Sequence, residues 1–548
     1  MANSPNTLIV AIALVIPLFS KLSQTTFVSI NCGSSEPFTD PQTNITWTQD
    51  DAYIDHGQSF NVSLGLGTFS TLRAFHNNNT LKKNCYEIEV QKGEKVLTRA
   101  SFFYGNYDNK FSPPIFDLIF DGNYWGTVIT SISDHVDYEA IYVTKGNYTN
   151  VCVSQSNPNH IPFISSIEVR GLKPQMYNHI DQNHSLILLS RRAFGANQTV
   201  RYPDDEFDRI WSAKNSEQEF IYSIESEALD INTSTVEDQP PKSAIQNAFT
   251  LPNKTFEIQY NLSSLLQSTP NNSNNNNSYY YYNNYIPLYI NTYFSEVMEN
   301  ATFGTRSMQI YIANNNNNKG PLFSSRPIIP PFGSVEEVHI NMSISSDTKM
   351  MNSLYFHANP ASILPPLINA AEIYRVEPLA QGTHSRDVKG LRELQLGFKR
   401  LSEWKGDPCL PFPYAWEWIK CTADPIPRVK ALYLNSYDLH GILPDISSMD
   451  ALEIIDLHNN TIQGPIPEFL GFLPLLRVLN LSHNAFSGYI PTSLNNTDID
   501  IDLSNLPELQ KIVSTPTSDS PRTWISFRLH ILLVLLIFAM QVLLPHLL

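Results

Sequence analysis

Basic residues are scarce in this 548-residue chain: 36 lysines and arginines stand against 52 aspartates and glutamates, for a formal net charge of −16. Binding to nucleic acid needs Lys and Arg clustered, so the balance argues against nucleic acid as a partner. Catalytic signatures are missing as well. The fourteen histidines fall in no H-E-x-x-H or triad-like pattern, and neither G-x-S-x-G nor a dinucleotide fingerprint occurs. No Gly-rich loop, H-R-D or D-F-G element is present, which excludes phosphoryl transfer by this chain. We therefore expect a non-enzyme that needs no cofactor and no metal. Cysteine is also rare, at five residues. In an oxidising compartment Cys409 and Cys421, close in sequence and far from the rest, are expected to bond to each other. Cys32, Cys85 and Cys152 allow one further bond whose identity spacing cannot decide, and a zinc site is the rival reading.

The ends of the chain point to the secretory route. Residues 1–23 hold an apolar run from Leu8 to Phe19, too short to span a bilayer, and read as a cleaved signal peptide. Glycosylation triplets begin at Asn44, Asn61, Asn147, Asn197, Asn232, Asn253, Asn300, Asn341 and Asn480, and also at Asn78, Asn183, Asn261, Asn271, Asn276, Asn459 and Asn495. At the other end, small residues Ser518 to Ser520 and a spacer through 528 precede an apolar segment, 529–548. That order fits a glycolipid (GPI) anchor signal, with a single transmembrane helix as the alternative. Either places the protein at the outer face of the plasma membrane.

Between about 27 and 376 the chain shows short alternating or β-branched and aromatic runs, such as Ile115 to Phe120 and Ile161 to Val169, broken by Asn, Gly and Pro. These predict a mainly β fold made of two tandem β-sandwiches, about 27–185 and 197–376. The tracts 271–284 and 314–318 read as low-complexity loop insertions. Val388, Leu391, Leu394, Phe398 and Leu401 recur at helical spacing, predicting a connecting helix over 384–401 with Asp387 as its cap.

From Val429 a period of about 23 to 24 residues sets in. Leu432, Leu434, Leu439 and Gly441 are answered by Ile455, Leu457, Ile462 and Gly464, then by Leu479, Leu481, Phe486 and Gly488. This is a leucine-rich repeat solenoid over 429–510, in which Asn460 and Asn484 satisfy buried backbone groups. Tyr433, Asn435, Asp456, His458, Asn480 and Ser482 line its concave face, and Ile499 to Leu506 reads as a degenerate closing turn.

The stretch "WKGDP" at Trp404 to Pro408, followed by Cys409, Trp416, Trp418 and Cys421, resembles the disulfide-bearing cap, here 402–428, of plant malectin-like leucine-rich repeat receptor kinases. So do "SINCGS" at Ser29 to Ser34, "RASFFYGNYD" at Arg99 to Asp108, "PFISSIEVR" at Pro162 to Arg170 and "RYPDDEFDRIW" at Arg201 to Trp211. "YFSEV" at Tyr293 to Val297 and "LPPLINAAEIY" at Leu364 to Tyr374 extend the likeness. The resemblance implies a malectin-like fold, carbohydrate-binding in type, and a sensor of cell-wall glycan or secreted peptide. Without kinase elements such a receptor-like protein would signal through a receptor-kinase partner. The alternatives are a glycan-active enzyme and a truncated decoy or scaffold.

Two clusters carry candidate chemistry. Tyr104, Tyr107 and Asp108 pair aromatic planes with a carboxylate, the tools for stacking on a sugar and bonding its hydroxyls; a buried strand and turn is the competing reading. Asp204, Asp205 and Asp208 invite a calcium or glycosidase reading, against carboxylates that accept backbone N–H bonds at a helix or turn start.

Overall fold

The structure is a computed structural model that describes residues 25–76, 81–214, 220–267, 285–301, 305–313, 319–322, 326–345, 352–495 and 498–510. The expected leader 1–23, both asparagine-rich tracts, the spacer 511–528 and the apolar segment 529–548 lie outside the described residues. Among the described residues no helix is long and apolar enough to cross a membrane.

Alternation of apolar and polar side chains along each strand builds one long sheet rather than two separate sandwiches. Its central path runs from Phe27–Asn31 through Ser166–Gly171, Lys95–Phe102 and Val136–Val143 to His184–Phe194, then through Ala370–Pro378 and Tyr285–Phe294 to the edge strand Glu336–Ser345. The strand His184–Phe194 pairs antiparallel with Val136–Val143 on one side and with Ala370–Pro378 on the other. It therefore belongs to both halves, which corrects the expected break at 185–197. A register shift between Leu188 and Ser190 marks the change of partner.

Two smaller sheets cover one face of the long sheet. In the first half Lys83–Glu89, Tyr148–Ser154, Ile115–Phe120 and Asn123–Ile129 pack over Ala100, Phe102, Ala140, Tyr142, Ile167 and Val169, all buried. The second half has Glu257–Asn261, Ser353–Ala358, Met308–Ala313 and Lys319–Leu322. There Ile258, Ile310, Leu354 and Phe356 meet Leu288, Ile290, Ile340 and Ile373. Every second residue of these strands points to the opposite face, so that face too must be covered or solvated. It is covered by chain from about 172 to 182, from 200 to 213 and from 220 to 245, through Met176, Tyr177, Phe207 and Trp211.

The helix Ser385–Gly397 follows the last sandwich strand, with Leu391 and Leu394 buried. Its N-cap is His384, whose side chain accepts from the Arg386 N–H. Asp387 sits inside the first turn, fully buried, where Arg428 reaches it through two hydrogen bonds of 2.8 and 3.0 Å. The cap expectation for Asp387 was wrong because Arg428, 41 residues away, competes for that carboxylate.

In the repeats, Val429–Tyr433, Ile454–Asp456, Val478–Asn480 and Asp500–Asp502 pair in parallel, aligning Tyr433, Asp456, Asn480 and Asp502. Residues 500–502 thus add a fourth strand, and Glu508–Gln510 pairs with Ala485–Tyr489, where only a closing turn was expected. The Asn460 amide donates to Leu434 O (2.8 Å) and Leu457 O (2.9 Å) and accepts from Leu439 N (2.9 Å). Asn484 does the same one coil later. Tyr437, at that position in the first coil, packs instead on Trp404 at 5.9 Å.

Candidate functional site

The loop after Lys95–Phe102 brings Tyr104, Tyr107 and Asp108 together, but not as a sugar platform. Tyr104 is 0 % exposed. Its hydroxyl donates to Asp108 Oδ1 (2.5 Å) and accepts from Ser112 N (3.3 Å). Burial, then the Asp108 bond, pushes the Tyr104 phenol up to about 12. Asp108 also accepts from Lys110 N, so the carboxylate closes the turn. Tyr107 is half-buried, with its ring against Phe60 (4.9 Å) and Phe163 (5.7 Å). The expected stacking role of Tyr104 is thereby excluded, since a fully buried ring offers no face to a ligand. What this tip exposes instead is apolar: Phe111 at 72 %, and Leu64 and Leu66 at 64 % and 86 % on the adjoining turn. The two loops touch, because a Cβ on Gly105 would fall 2.3 Å from Val62. Single exposed apolar residues are common in any sequence, so only their assembly from two loops distinguishes them.

The acidic cluster also serves packing. On the covered face of the long sheet, register sets Glu168 opposite Arg99, Arg99 opposite Glu139, Arg191 opposite Glu372, and Glu372 opposite Asn291. The groups bond along this row. Arg99 donates to Glu139 (2.8 Å), Arg191 to Glu139 (2.6 Å) and to Glu372 (2.7 Å), and Tyr177, Tyr293 and Tyr374 all donate to Glu372. Lying across the row, the segment Arg201 to Trp211 supplies Asp208, whose carboxylate accepts from Arg170 (2.8 Å) and Arg201 (3.0 Å), and Asp205, which accepts from Arg209 (2.8 Å) and Trp211 (2.7 Å). Both aspartates are buried and saturated, while Asp204 is exposed and bonds Ser243. Of the carboxylates that suggested calcium or glycosidase chemistry, Asp205 and Asp208 are spent on guanidinium groups and Asp204 on the Ser243 hydroxyl. Among the described residues no group of three or more His, Cys, Asp or Glu could hold a metal ion.

At the far end of the row the Asp238 backbone N–H donates to Glu337 Oε2 (3.3 Å), which sets the two acids side by side. Burial and the neighbouring acid push Glu337 up to about 9, and burial followed by the Glu372 charge pushes Asp238 up to about 6.

The cap docks on the first sandwich. Cys409 bonds to Cys421 and Cys85 to Cys152, leaving Cys32 buried and unpaired. Asp407 of the "WKGDP" stretch accepts from Thr383 N (2.7 Å), Cys409 N (3.0 Å) and Leu410 N (2.9 Å), holding the turn shut. Gly406, at φ +75°, lies against the Cys85–Cys152 bridge. Lys83 donates to the Leu410 carbonyl (2.8 Å) and to that of Asp407, Lys405 to Tyr53 O (2.9 Å), and Tyr414 to Asp117 (2.5 Å). Burial lowers the Lys83 ammonium to about 8.

On the concave face of the repeats Tyr433 is exposed, while Asn435, Asp456, His458 and Asn480 are half-buried and Ser482 is buried. His458 hydrogen-bonds Asp456 through Nδ1 at 2.6 Å, and Asn480 Oδ1 accepts from Ser482 Oγ at 2.7 Å. Of the acceptor asparagines, Asn44, Asn61, Asn147, Asn197, Asn232, Asn253, Asn300 and Asn341 are exposed.

A sandwich pair sharing one sheet, capped and extended by a short repeat coil, is a class of scaffold that presents surfaces. Comparison gives it a family: the Malectin-like domain matches residues 30–376, and Leucine Rich Repeats match 451–473 and 475–497. The chain belongs to the malectin-like family. It is 32% identical over 447 residues to a probable LRR receptor-like serine/threonine-protein kinase of Arabidopsis thaliana, covering 79% of this chain and 48% of that protein. An uncharacterized protein of Arabidopsis thaliana is 31% identical over 359 residues, 64% of this chain and 65% of the other. The chain spans roughly half to two thirds of the length of the curated relatives it matches. Among solved structures the ANX2 ectodomain from Arabidopsis thaliana is similar in fold, with a TM-score of 0.50 at 15% identity over 64% of this chain and 97% of that one.

Proposed function

We propose that the chain is an extracellular receptor-like binding protein that recognises a cell-wall carbohydrate or a secreted peptide and signals through a receptor-kinase partner. The observation that carries this reading is the absorption of Asp205 and Asp208 into buried ion pairs, with Asp204 left on the surface bonded to Ser243, together with a loop tip that exposes Leu64, Leu66 and Phe111 next to Tyr107. Membership of the malectin-like family and the receptor-like relatives support it. Exposed apolar groups on a saturated scaffold serve binding, whether against the apolar face of a sugar ring or against a peptide side chain.

The test is an array of wall oligosaccharides and secreted peptides probed with the glycosylated protein, followed by calorimetry on each hit. Binding that is lost in Phe111→Ala and Tyr107→Ala places the ligand at the tip. Hydrolysis of a wall glycan by the purified protein would refute the non-enzymatic reading, and binding untouched by both substitutions would refute the tip.

A further inference from the structure

We propose that Asn480 carries an N-linked glycan and that this glycan covers the concave face of the repeats, closing it to a peptide ligand. The inference rests on the extracellular reading above and locates where recognition does not occur.

The triplet Asn480-Leu481-Ser482 lies in and just after the strand Val478–Asn480. Leu479 and Leu481 are both 0 % exposed, so alternation turns Asn480 to the concave side. There its register partners are Asp456 on one strand and Asp502 on the other, with Tyr433 one strand beyond Asp456. Every other described acceptor asparagine is exposed, whereas Asn480 alone stands within this sheet.

Its amide is already oriented. Oδ1 accepts from Ser482 N (3.1 Å) and Ser482 Oγ (2.7 Å), which leaves Nδ2, the atom that bears a sugar, directed away from that pair. Among the described residues Nδ2 makes no hydrogen bond that a glycan would break. Ser482 is buried once the coil has closed, so the sugar must be added to the nascent chain before the repeats stack. Adjacent strands are spaced about 4.8 Å apart, so beside the antiparallel Ile419–Cys421, which pairs with Val429–Tyr433, the four parallel strands span only about 15 Å. A branched, hydrated oligosaccharide rooted on the third of those strands overlies Asp456, Asp502 and Tyr433 together. The short solenoid then acts as a sugar-shielded spacer, and ligand contact falls to the malectin-like half.

The full-length protein is made in a eukaryotic secretory host and its glycopeptides are mapped by mass spectrometry after enzymatic deglycosylation in water enriched in the heavy oxygen isotope, which converts each formerly occupied asparagine to an oxygen-labelled aspartate. Accessibility is read by maleimide labelling of Asp456→Cys, alone and combined with Asn480→Gln. We expect Asn480 to be occupied and labelling to speed up several-fold when Asn480→Gln is added. Occupancy at Asn44 and Asn197 but not at Asn480 overturns the proposal while leaving the extracellular reading standing. An occupied Asn480 with equal labelling rates overturns the shielding, and a chain glycosylated nowhere overturns the extracellular reading itself.

Discussion

Asp208→Asn isolates the buried ionic row from any catalytic role of the same carboxylate. Asp208 is 0 % exposed and its two oxygens face Arg170 and Arg201, with Arg99 donating to its backbone carbonyl at 2.7 Å. Asparagine preserves the shape but removes the charge and turns an NH2 group toward a guanidinium donor. Breaking one partner out of a buried ion pair costs about 3–5 kcal/mol, because the remaining charges stay desolvated. With unfolding entropy of about 2.1 cal/mol/K per residue, a malectin-like region of roughly 350 residues has about 0.7 kcal/mol/K, so the loss lowers its Tm by about 4–7 °C. Differential scanning calorimetry of wild type and variant at equal pH and salt reads this directly. Were Asp208 catalytic, the variant would melt with wild-type protein and lose a hydrolytic activity. A Tm within a degree of wild type would refute the claim that Asp208 clamps the covering segment to the sheet.

Three further outcomes follow from the geometry. Glu337 keeps its proton in the folded state to about pH 9 but releases it near its ordinary value when unfolded, so folding binds the extra proton and stability falls as pH rises between those values, by up to about 1.4 kcal/mol per unit. The groups around it are Asp238, Glu372, Tyr289 and Tyr293, with Arg209 the cation near Asp238. Glu337→Gln should flatten that slope in melts between pH 6 and 8.5, and an unchanged slope would sink the assignment. Gly406→Ala puts a methyl 2.7 Å from Cys85 Sγ in a left-handed backbone that costs about 1–2 kcal/mol; we expect the buried Cys85–Cys152 bridge to be reduced by dithiothreitol several-fold faster, and an unchanged rate would show that the cap does not shield it. Asn460→Ala strands Leu439 N and the Leu434 carbonyl, while Leu457 O keeps its bond from Asn484, costing about 2–4 kcal/mol, read as an earlier urea midpoint by the fluorescence of Trp404, Trp416 and Trp418.

What the sequence made legible was whatever repeats or alternates locally. The repeat period placed Leu432, Ile455 and Leu479 on one inward row because each coil restates the same positions, and short β-rich runs marked the sandwiches. Pairing between distant segments stayed hidden. Nothing near His184–Phe194 announces that it bonds Ala140 on one side and Glu372's strand on the other, since both partners have the same alternating texture. Tyr104 beside Asp108 reads alike as a sugar platform or as a buried tyrosine on its acceptor, and only burial separates the two. Asp205 and Asp208 looked like free carboxylates because their arginines, Arg170 above all, come from elsewhere in the chain or point back from the same short segment.

The ionic row also answers a problem that apolar alternation leaves open. Many strands of this sheet would bury similar area in a neighbour's place, and a slip of one residue exchanges the two faces of a strand. Glu168, Arg99, Glu139, Arg191 and Glu372 tie those choices together, because a slipped or exchanged strand would leave a buried charge facing a like charge or an apolar side chain. The row crosses His184–Phe194 through Arg191, which bonds Glu139 of the first half and Glu372 of the second with one guanidinium. The two halves are therefore joined by the same interaction that sets their register. With the cap gripping the first half through Lys83, Lys405 and Tyr414, the proposed binding tip at Tyr107 sits on a surface whose mounting is continuous from sandwich to repeats.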